Sequence, residues 1–131
     1  ASGQITLPSA VTSCVVGLAY SGIFVSVKLG QVAAQTALAQ RKRADRMALS
    51  FADTHHSAIE WGCDLDRLQP LPAIVSEVEV GSDKVWSQQE IELDPVNGNW
   101  SKDERFVIKA SSPYAATVMA AVISLASHDA A

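Results

Sequence analysis

The sequence predicts an all-β fold: an antiparallel β-sandwich of about seven or eight strands, with residues 1–131 forming one domain. Three observations predict it. Apolar residues recur at every second position in segment after segment, the spacing of half-buried strands. Turn-forming residues interrupt them at roughly 8–15-residue intervals, as in sandwiches and barrels. The dipeptide Asn97-Gly98 is a strong short-range hairpin signal.

In chain order, residues 5–29 read as strands. Cys14, Val16, Leu18 and Tyr20 share one parity, as do Ile23, Val25, Val27 and Leu29, with Gly17, Ser21-Gly22 and Gly30 as breaks. Residues 31–40, "QVAAQTALAQ", lack Gly, Pro and a β-branched run, and read as a short helix or an ordered loop. In "RKRADRMALSFADT", Met47, Leu49 and Phe51 point one way, and Ala48, Ser50 and Ala52 the other. "DTHHS" is a turn candidate, because Asp and Ser compete for local backbone bonds. Ile59, Trp61 and Cys63 continue as a strand. "LQPLP" must be extended or irregular, since Pro70 and Pro72 cannot donate to a ladder. "IVSEVEV" and "IELDPVNGNW" read as further strands. "RFVIKA" sets Phe106 and Ile108 against Arg105 and Lys109. "ATVMAAVISLA" is nearly all apolar and rich in Val, Ile and Thr, which favours a buried final strand over a helix.

Composition limits the function. The 131 residues are 48% hydrophobic and 18% charged, the balance of a globular chain with a real core. A net charge of -4 argues against whole-protein attraction to nucleic acid, which needs positive charge gathered on a face. Two cysteines, Cys14 and Cys63, are too few for a disulfide framework and read as buried free thiols. The longest uncharged apolar stretch falls well below the ~20 residues of a membrane helix, so no membrane insertion is expected.

Catalytic signatures are missing. His55 and His56 are adjacent, with Cys63 and Asp64 nearby, but no C-x-x-C or H-x-x-x-H pair completes the four ligands of a zinc site. They read as exposed turn histidines, and neither a metal nor a cofactor is expected. No G-x-S-x-G elbow surrounds a serine, and no glycine-rich phosphate loop is present. Glu77 with Glu79, and Glu90 with Glu92, mimic paired carboxylates but read as solvated strand faces. The chain is therefore not expected to be an enzyme. Trp61, Trp86, Trp100, Tyr20 and Tyr114 are candidates for a sugar- or nucleotide-binding face, or for core and interface.

The basic knot is distinctive. Arg41, Lys42, Arg43 and Arg46 are four of the ten Lys and Arg in the chain. Three readings are open: a nucleic-acid contact, a solvated turn, or the rim of a subunit interface. Arg suits the last, because it pairs bidentately with carboxylates across interfaces. On that reading, replacing Arg41, Lys42 and Arg43 with Ser leaves the isolated domain's folding nearly unchanged.

"GQITL", "VGLAY", "RKRADRMALSFADT" and "NWSKDERFVIKASSPYAATVMAAVI" together resemble the C-terminal region of tail nozzle proteins of short-tailed bacteriophages. These are also called tail tubular protein B or packaged-DNA stabilisation proteins. The resemblance runs from about Gly3 to Ile123 and is weaker from His55 to Gln89; none of its motifs is catalytic. It implies that this chain is the terminal β-rich part of a longer nozzle protein, located in the virion tail. It implies a homo-oligomeric ring, usually a hexamer, that contacts other tail proteins, retains the packaged genome and conducts DNA at ejection. Such a ring closes head-to-tail contacts by rotation, and the knot would meet an acidic face of the next subunit. A dense cationic lining would hold DNA back, so the acidic balance suits a conduit. The alternative is a stand-alone carbohydrate- or receptor-binding β-sandwich, also compatible with a viral origin. That alternative predicts Trp86 or Trp100 exposed, whereas a ring subunit predicts them buried.

Overall fold

The computed structural model describes residues 3–18, 20–32, 35–36, 38–72, 85–86, 89–93 and 98–128. The fold is all-β and antiparallel throughout. Eleven strands are described: β1 (Gly22–Val25), β2 (Gln31–Val32), β3 (Gln35–Thr36), β4 (Arg41–Phe51), β5 (Thr54–His55), β6 (Ile59–Gly62), β7 (Gln69–Pro70), β8 (Val85–Trp86), β9 (Gln89–Leu93), β10 (Val107–Ala110) and β11 (Val118–His128). The excess over seven or eight consists of two-residue strands, which are too short to show a period in sequence.

Two sheets carry the core. One has the order β1-β10-β6-β7, and the other β11-β4-β9. In the second, Met47 faces Leu93 and Leu49 faces Ile91, and all four are buried. In the first, Trp61 pairs with Ile108 and Ile59 with Ala110. Ile59, Trp61, Met47, Leu49, Phe51, Ile91, Leu93 and Phe106 join one cluster between the sheets, with Ile108 and Ala110 packed against it. Burying each such side chain contributes roughly 1.5–3 kcal/mol. The parity that the sequence assigns to β4 follows directly. A one-residue slip would turn Met47, Leu49 and Phe51 to solvent, so burial fixes the register.

β4 is longer than its apolar pattern. Lys42 and Ala44 are buried, then Met47, Leu49 and Phe51, so the inward parity changes from even to odd. A β-bulge causes the change: Arg46 faces Ser124 and Ala44 faces Leu125, leaving Asp45 as the extra residue. The basic knot is therefore part of the strand rather than a loop leading into it.

Other expectations are corrected. Residues 31–40 contain no helix among those described; β2 and β3 pair as a small antiparallel hairpin there. Residues 3–18 form no strand, and every one of them is exposed. Their alternation is real, but among the described residues no strand lies alongside to pair with them. The final apolar segment is a strand, but Met119 and Val122 are about two-thirds exposed, at 63% and 66%: Val122 pairs with Ala48 on the outward face of the sheet, and Met119 lies at a register shift between Val118 and Ala120. Cys14 is exposed, whereas Cys63 is half-buried. Residues 74–80, with Glu77 and Glu79, and Asn97 of the expected turn lie outside the described residues.

A short 3-10 turn, Leu65–Arg67, follows β6. Asp64 caps it by accepting from the Asp66 amide at 3.2 Å. β7 runs along the edge of its sheet, where Pro70 is tolerated, and the Trp61 indole donates to the Pro70 carbonyl at 3.2 Å.

Candidate functional site

Four regions hold the chemistry-bearing side chains. The first lies where the start of β4 meets the loop 98–106. Lys42 and Ser101 exchange both backbone hydrogen bonds at 2.9 Å, which extends the β4 ladder onto that loop. Lys42 therefore points inward. It is fully buried, and its Nζ donates to the Lys102 carbonyl at 2.9 Å. Glu104 is also buried, and its Oε1 accepts from the Ala44 amide at 3.3 Å. Gly98 makes room for this carboxyl, because a Cβ there would stand 2.6 Å from Glu104 Oε1 and 3.1 Å from the Ala44 carbonyl oxygen.

Loss of water dominates the electrostatics. Burial pushes the Glu104 carboxyl above its ordinary value, opposed by the Ala44 amide, Cys63, Arg67 and Lys42. Burial lowers Lys42, helped by Lys28 and opposed by Asp103 and Glu104. Both groups are thus driven toward their neutral forms, as expected when desolvation exceeds mutual attraction. The Cys63 thiol is pushed up to about 12, first by burial and then by the charge of Glu104 and its hydrogen bond. Such a thiol is a poor nucleophile, since only the thiolate reacts.

A cleft of about 380 Å³ opens above this cluster, lined in part by Cys63, Arg67, Asn99, Asp103, Glu104 and Arg105. Its charges pair with one another: Arg67 with Asp64 at 3.8 Å, and Arg105 with Asp103 at 3.0 Å. The Asn99 amide, turned with its oxygen toward Arg67, accepts at 3.0 and 3.2 Å. Arg105 also donates to the Ser26 carbonyl at 3.2 Å, tying the loop to the chain beyond β1. These contacts lock loop 98–106 onto β4 and β1. Neither Glu104 nor Arg67 stood out in the sequence, since they belong to no motif and their partners lie far away in the chain, and Gly98 stood out only as a turn residue.

The second region is the outward side of the knot. Arg41 and Arg46 are exposed and Arg43 is half-buried. Arg43 meets Asp45 at 3.6 Å and lies 5.3 Å from the centroid of the Trp100 ring, a cation–π distance. Trp100 is 44% exposed, whereas Trp61 is buried. Of the four residues expected at an interface, Arg41, Arg43 and Arg46 are available to a partner, and Lys42 is enclosed within its own chain.

The third region is the 53–57 turn. Asp53 has φ +46°, a left-handed conformation that Asp tolerates better than most residues. The His55 ring stacks on Tyr114 with centroids 3.8 Å apart, and lies 4.5 Å from that of His56. His56 Nε2 and Ser57 Oγ are 3.1 Å apart, and the Ser57 amide donates to His55 Nδ1 at 3.1 Å. The histidines expected in an exposed turn are thus half-buried, with His55 in β5 and stacked on a residue distant in the chain, while the contacts of His56 and Ser57 are between sequence neighbours. Among the described residues, no three or more His, Cys, Asp or Glu side chains converge to hold a metal ion, and Cys63 and Asp64 belong to the Glu104 cleft instead.

The fourth region is apolar. Edge strand β1 exposes Ile23, Phe24 and Val25, and edge strand β11 exposes Met119 and Val122. Between them lies a groove of about 400 Å³, lined by Phe24, Phe106, Ile108, Val118, Met119 and Ala121 among others. Here the space between the two sheets opens to the surface.

No protein-family model, curated protein or solved structure matches the chain.

Proposed function

We propose that this chain is a structural domain of the tail nozzle of a short-tailed bacteriophage. It would be one subunit of a homo-oligomeric ring, a hexamer in the family it resembles, that retains the packaged genome and conducts DNA during ejection. Its role is assembly in the virion tail beside other tail proteins, without catalysis. The observation that carries the assembly role is the amount of apolar surface left in water. Sixteen large hydrophobic side chains are exposed, from Ile5 to Val122. Two of them among the described residues, Phe24 and Met119, line one apolar groove, and contiguous apolar surface of that kind is what interaction sites present. The nozzle identity is supported by the resemblance of "VGLAY", "RKRADRMALSFADT" and "NWSKDERFVIKA". Immunogold electron microscopy of phage particles, with antibody raised against this chain, tests the reading. Label confined to one tail vertex is expected. Label spread over the capsid would make it a head protein, and unlabelled particles would remove the virion reading.

The carbohydrate- or receptor-binding alternative has one observation in its favour, the exposure of Trp100 beside Arg43. Saturable quenching of tryptophan fluorescence by a sugar, lost in Trp100→Ala, would move it to first place.

A further inference from the structure

We infer that residues 3–18 of one copy of the chain dock as an added strand along the outer edge of β11 of a second copy, covering the groove between β11 and β1. The choice of a second copy as occupant rests on the ring reading proposed above. The mode of contact rests on the following observations.

The donor is an unsatisfied strand. No residue between Gly3 and Val27 is charged, and Cys14, Val16 and Leu18 alternate with strand periodicity. Yet residues 3–18 belong to no sheet and are exposed throughout, Leu18 at 91%. The root of this arm is fixed, because Gly17 packs against Pro113, where a Cβ would approach the proline Cβ to 2.7 Å. The arm thus leaves the sandwich near the start of β11. At about 3.3 Å per extended residue it reaches on the order of 50 Å, far enough to meet a neighbouring subunit.

The acceptor is an undefended edge. Native edge strands are usually blunted by charge, proline or short length. β11 is eleven residues long and carries no Asp, Glu, Lys, Arg or Pro. Among the described residues no strand pairs with its outer side. Beside it, the groove has no charged lining, so an uncharged arm enters without desolvating a charge. A charged or phosphorylated partner would find nothing to pair with there.

Of the six exposed aliphatic side chains, Ile5, Leu7, Val11 and Val15 share one face of an extended arm and Val16 and Leu18 the other, so either face meets the groove with apolar side chains. Donor and acceptor lie at different places on one chain, so the contact closes either as a reciprocal exchange in a two-fold dimer or head-to-tail, and the ring reading selects the second. Main-chain pairing would provide affinity and the groove would provide register, as in other strand-addition complexes.

Disulfide trapping tests the inference. A chain with its native Cys14 is mixed with one carrying Cys14→Ser and Ala120→Cys, and oxidised mildly. A parallel mixture uses Met119→Cys. Both new thiols stand on exposed positions of β11, and a mixture with Cys14→Ser in both chains is the control. The expected result is a shift of the non-reduced band from monomer to dimer mass, with mass spectrometry identifying a bond between Cys14 of one copy and the β11 thiol of the other. If a single chain carrying both thiols closes only on itself, the arm covers its own groove and the inference is wrong. If neither position cross-links while sedimentation shows an oligomer, the ring reading stands and this docking falls. If neither cross-links and the chain sediments as a monomer, both fall.

Discussion

The ammonium of Lys42 and the carboxyl of Glu104 are both withdrawn from water beside the start of β4. The first donates to the Lys102 carbonyl at 2.9 Å, and the second accepts from the Ala44 amide at 3.3 Å. A cluster of charges that looks like a surface patch in sequence thus contains a buried fastening. It joins β4 to loop 98–106, the loop that also presents Trp100.

Lys42 therefore separates from its neighbours in a mutational test. Lys42→Ser should destabilise the chain by about 2–3 kcal/mol, the loss of a buried hydrogen bond from a charged donor. Arg41→Ser and Arg43→Ser should each stay within about 0.5 kcal/mol. Urea midpoints at unchanged m-value report the difference. The triple serine replacement should accordingly weaken the isolated domain, contrary to what the sequence suggests. Lys42→Met keeps the methylene packing and removes the desolvated charge, so it should cost less than Lys42→Ser.

Glu104 predicts a pH dependence of definite sign. Its folded-state pKa lies above the ordinary 4.5. The native state therefore holds the proton in a window, from 4.5 upward to the folded value, where the unfolded state has lost it. Stability from this group is fully present below 4.5 and is lost as pH rises through the window. Glu104→Gln removes that term. The stability of wild type minus that of Glu104→Gln should fall between pH 4 and neutrality; a difference that is flat or rises with pH would contradict the burial argument.

Gly98→Ala should disturb the same fastening sterically. The new Cβ would sit 2.6 Å from Glu104 Oε1 and 3.2 Å from the Ala44 nitrogen, and the Ala44 backbone cannot retreat from the sheet. A cost of about 1–3 kcal/mol is expected, as for an overpacked core. In Gly98→Ala combined with Glu104→Ala the clash with the carboxylate is gone, so the two effects should be sub-additive.

Cys63 and Cys14 should differ in reactivity. A thiol at about 12 rather than the ordinary 9.0 carries roughly a thousandth of the thiolate at a given mildly alkaline pH. Native-state alkylation followed by peptide mass spectrometry should modify exposed Cys14 first and Cys63 only after denaturation. Rapid labelling of Cys63 would show that its environment is open.

Much of this fold is legible in the sequence, and the illegible parts have identifiable physical causes. The alternation of Met47, Leu49 and Phe51 gives the core face of β4 because one side of that strand is buried along its length. The same pattern misleads at Cys14, Val16 and Leu18, where alternation is present but no partner strand among the described residues uses it. Periodicity reports the capacity to form a strand, whereas pairing depends on what lies alongside. The parity of Lys42 was hidden by the bulge at Asp45, since one inserted residue exchanges the two faces. The Glu104 cluster could not be read at all, because a buried carboxyl and an exposed one have the same sequence until the distant chain that covers them is placed. The "buried" final strand failed for a related reason: a strand apolar on both faces does not show which face lies inward, and Val122 stands outward beside Ala48.

Thr54 offers a last test of how the sandwich corner is held. It is completely buried, just after the left-handed residue Asp53. Its hydroxyl accepts from the Thr117 amide at 2.8 Å and lies 3.1 Å from the Ala52 carbonyl and 3.0 Å from that of Thr117, either of which it can donate to. The hydroxyl thus clamps the chain leaving β4 to the chain entering β11. Thr54→Val preserves the volume and removes the oxygen, taking from the Thr117 amide its acceptor in a part-buried site. The cost should be about 1–3 kcal/mol, whereas Thr54→Ser, which keeps the oxygen, should recover most of it. If Val and Ser cost the same, packing rather than the hydroxyl holds the corner. If Val also speeds amide exchange at Thr117 more than at Leu49 in the core, the clamp governs the local opening of β11 at this corner.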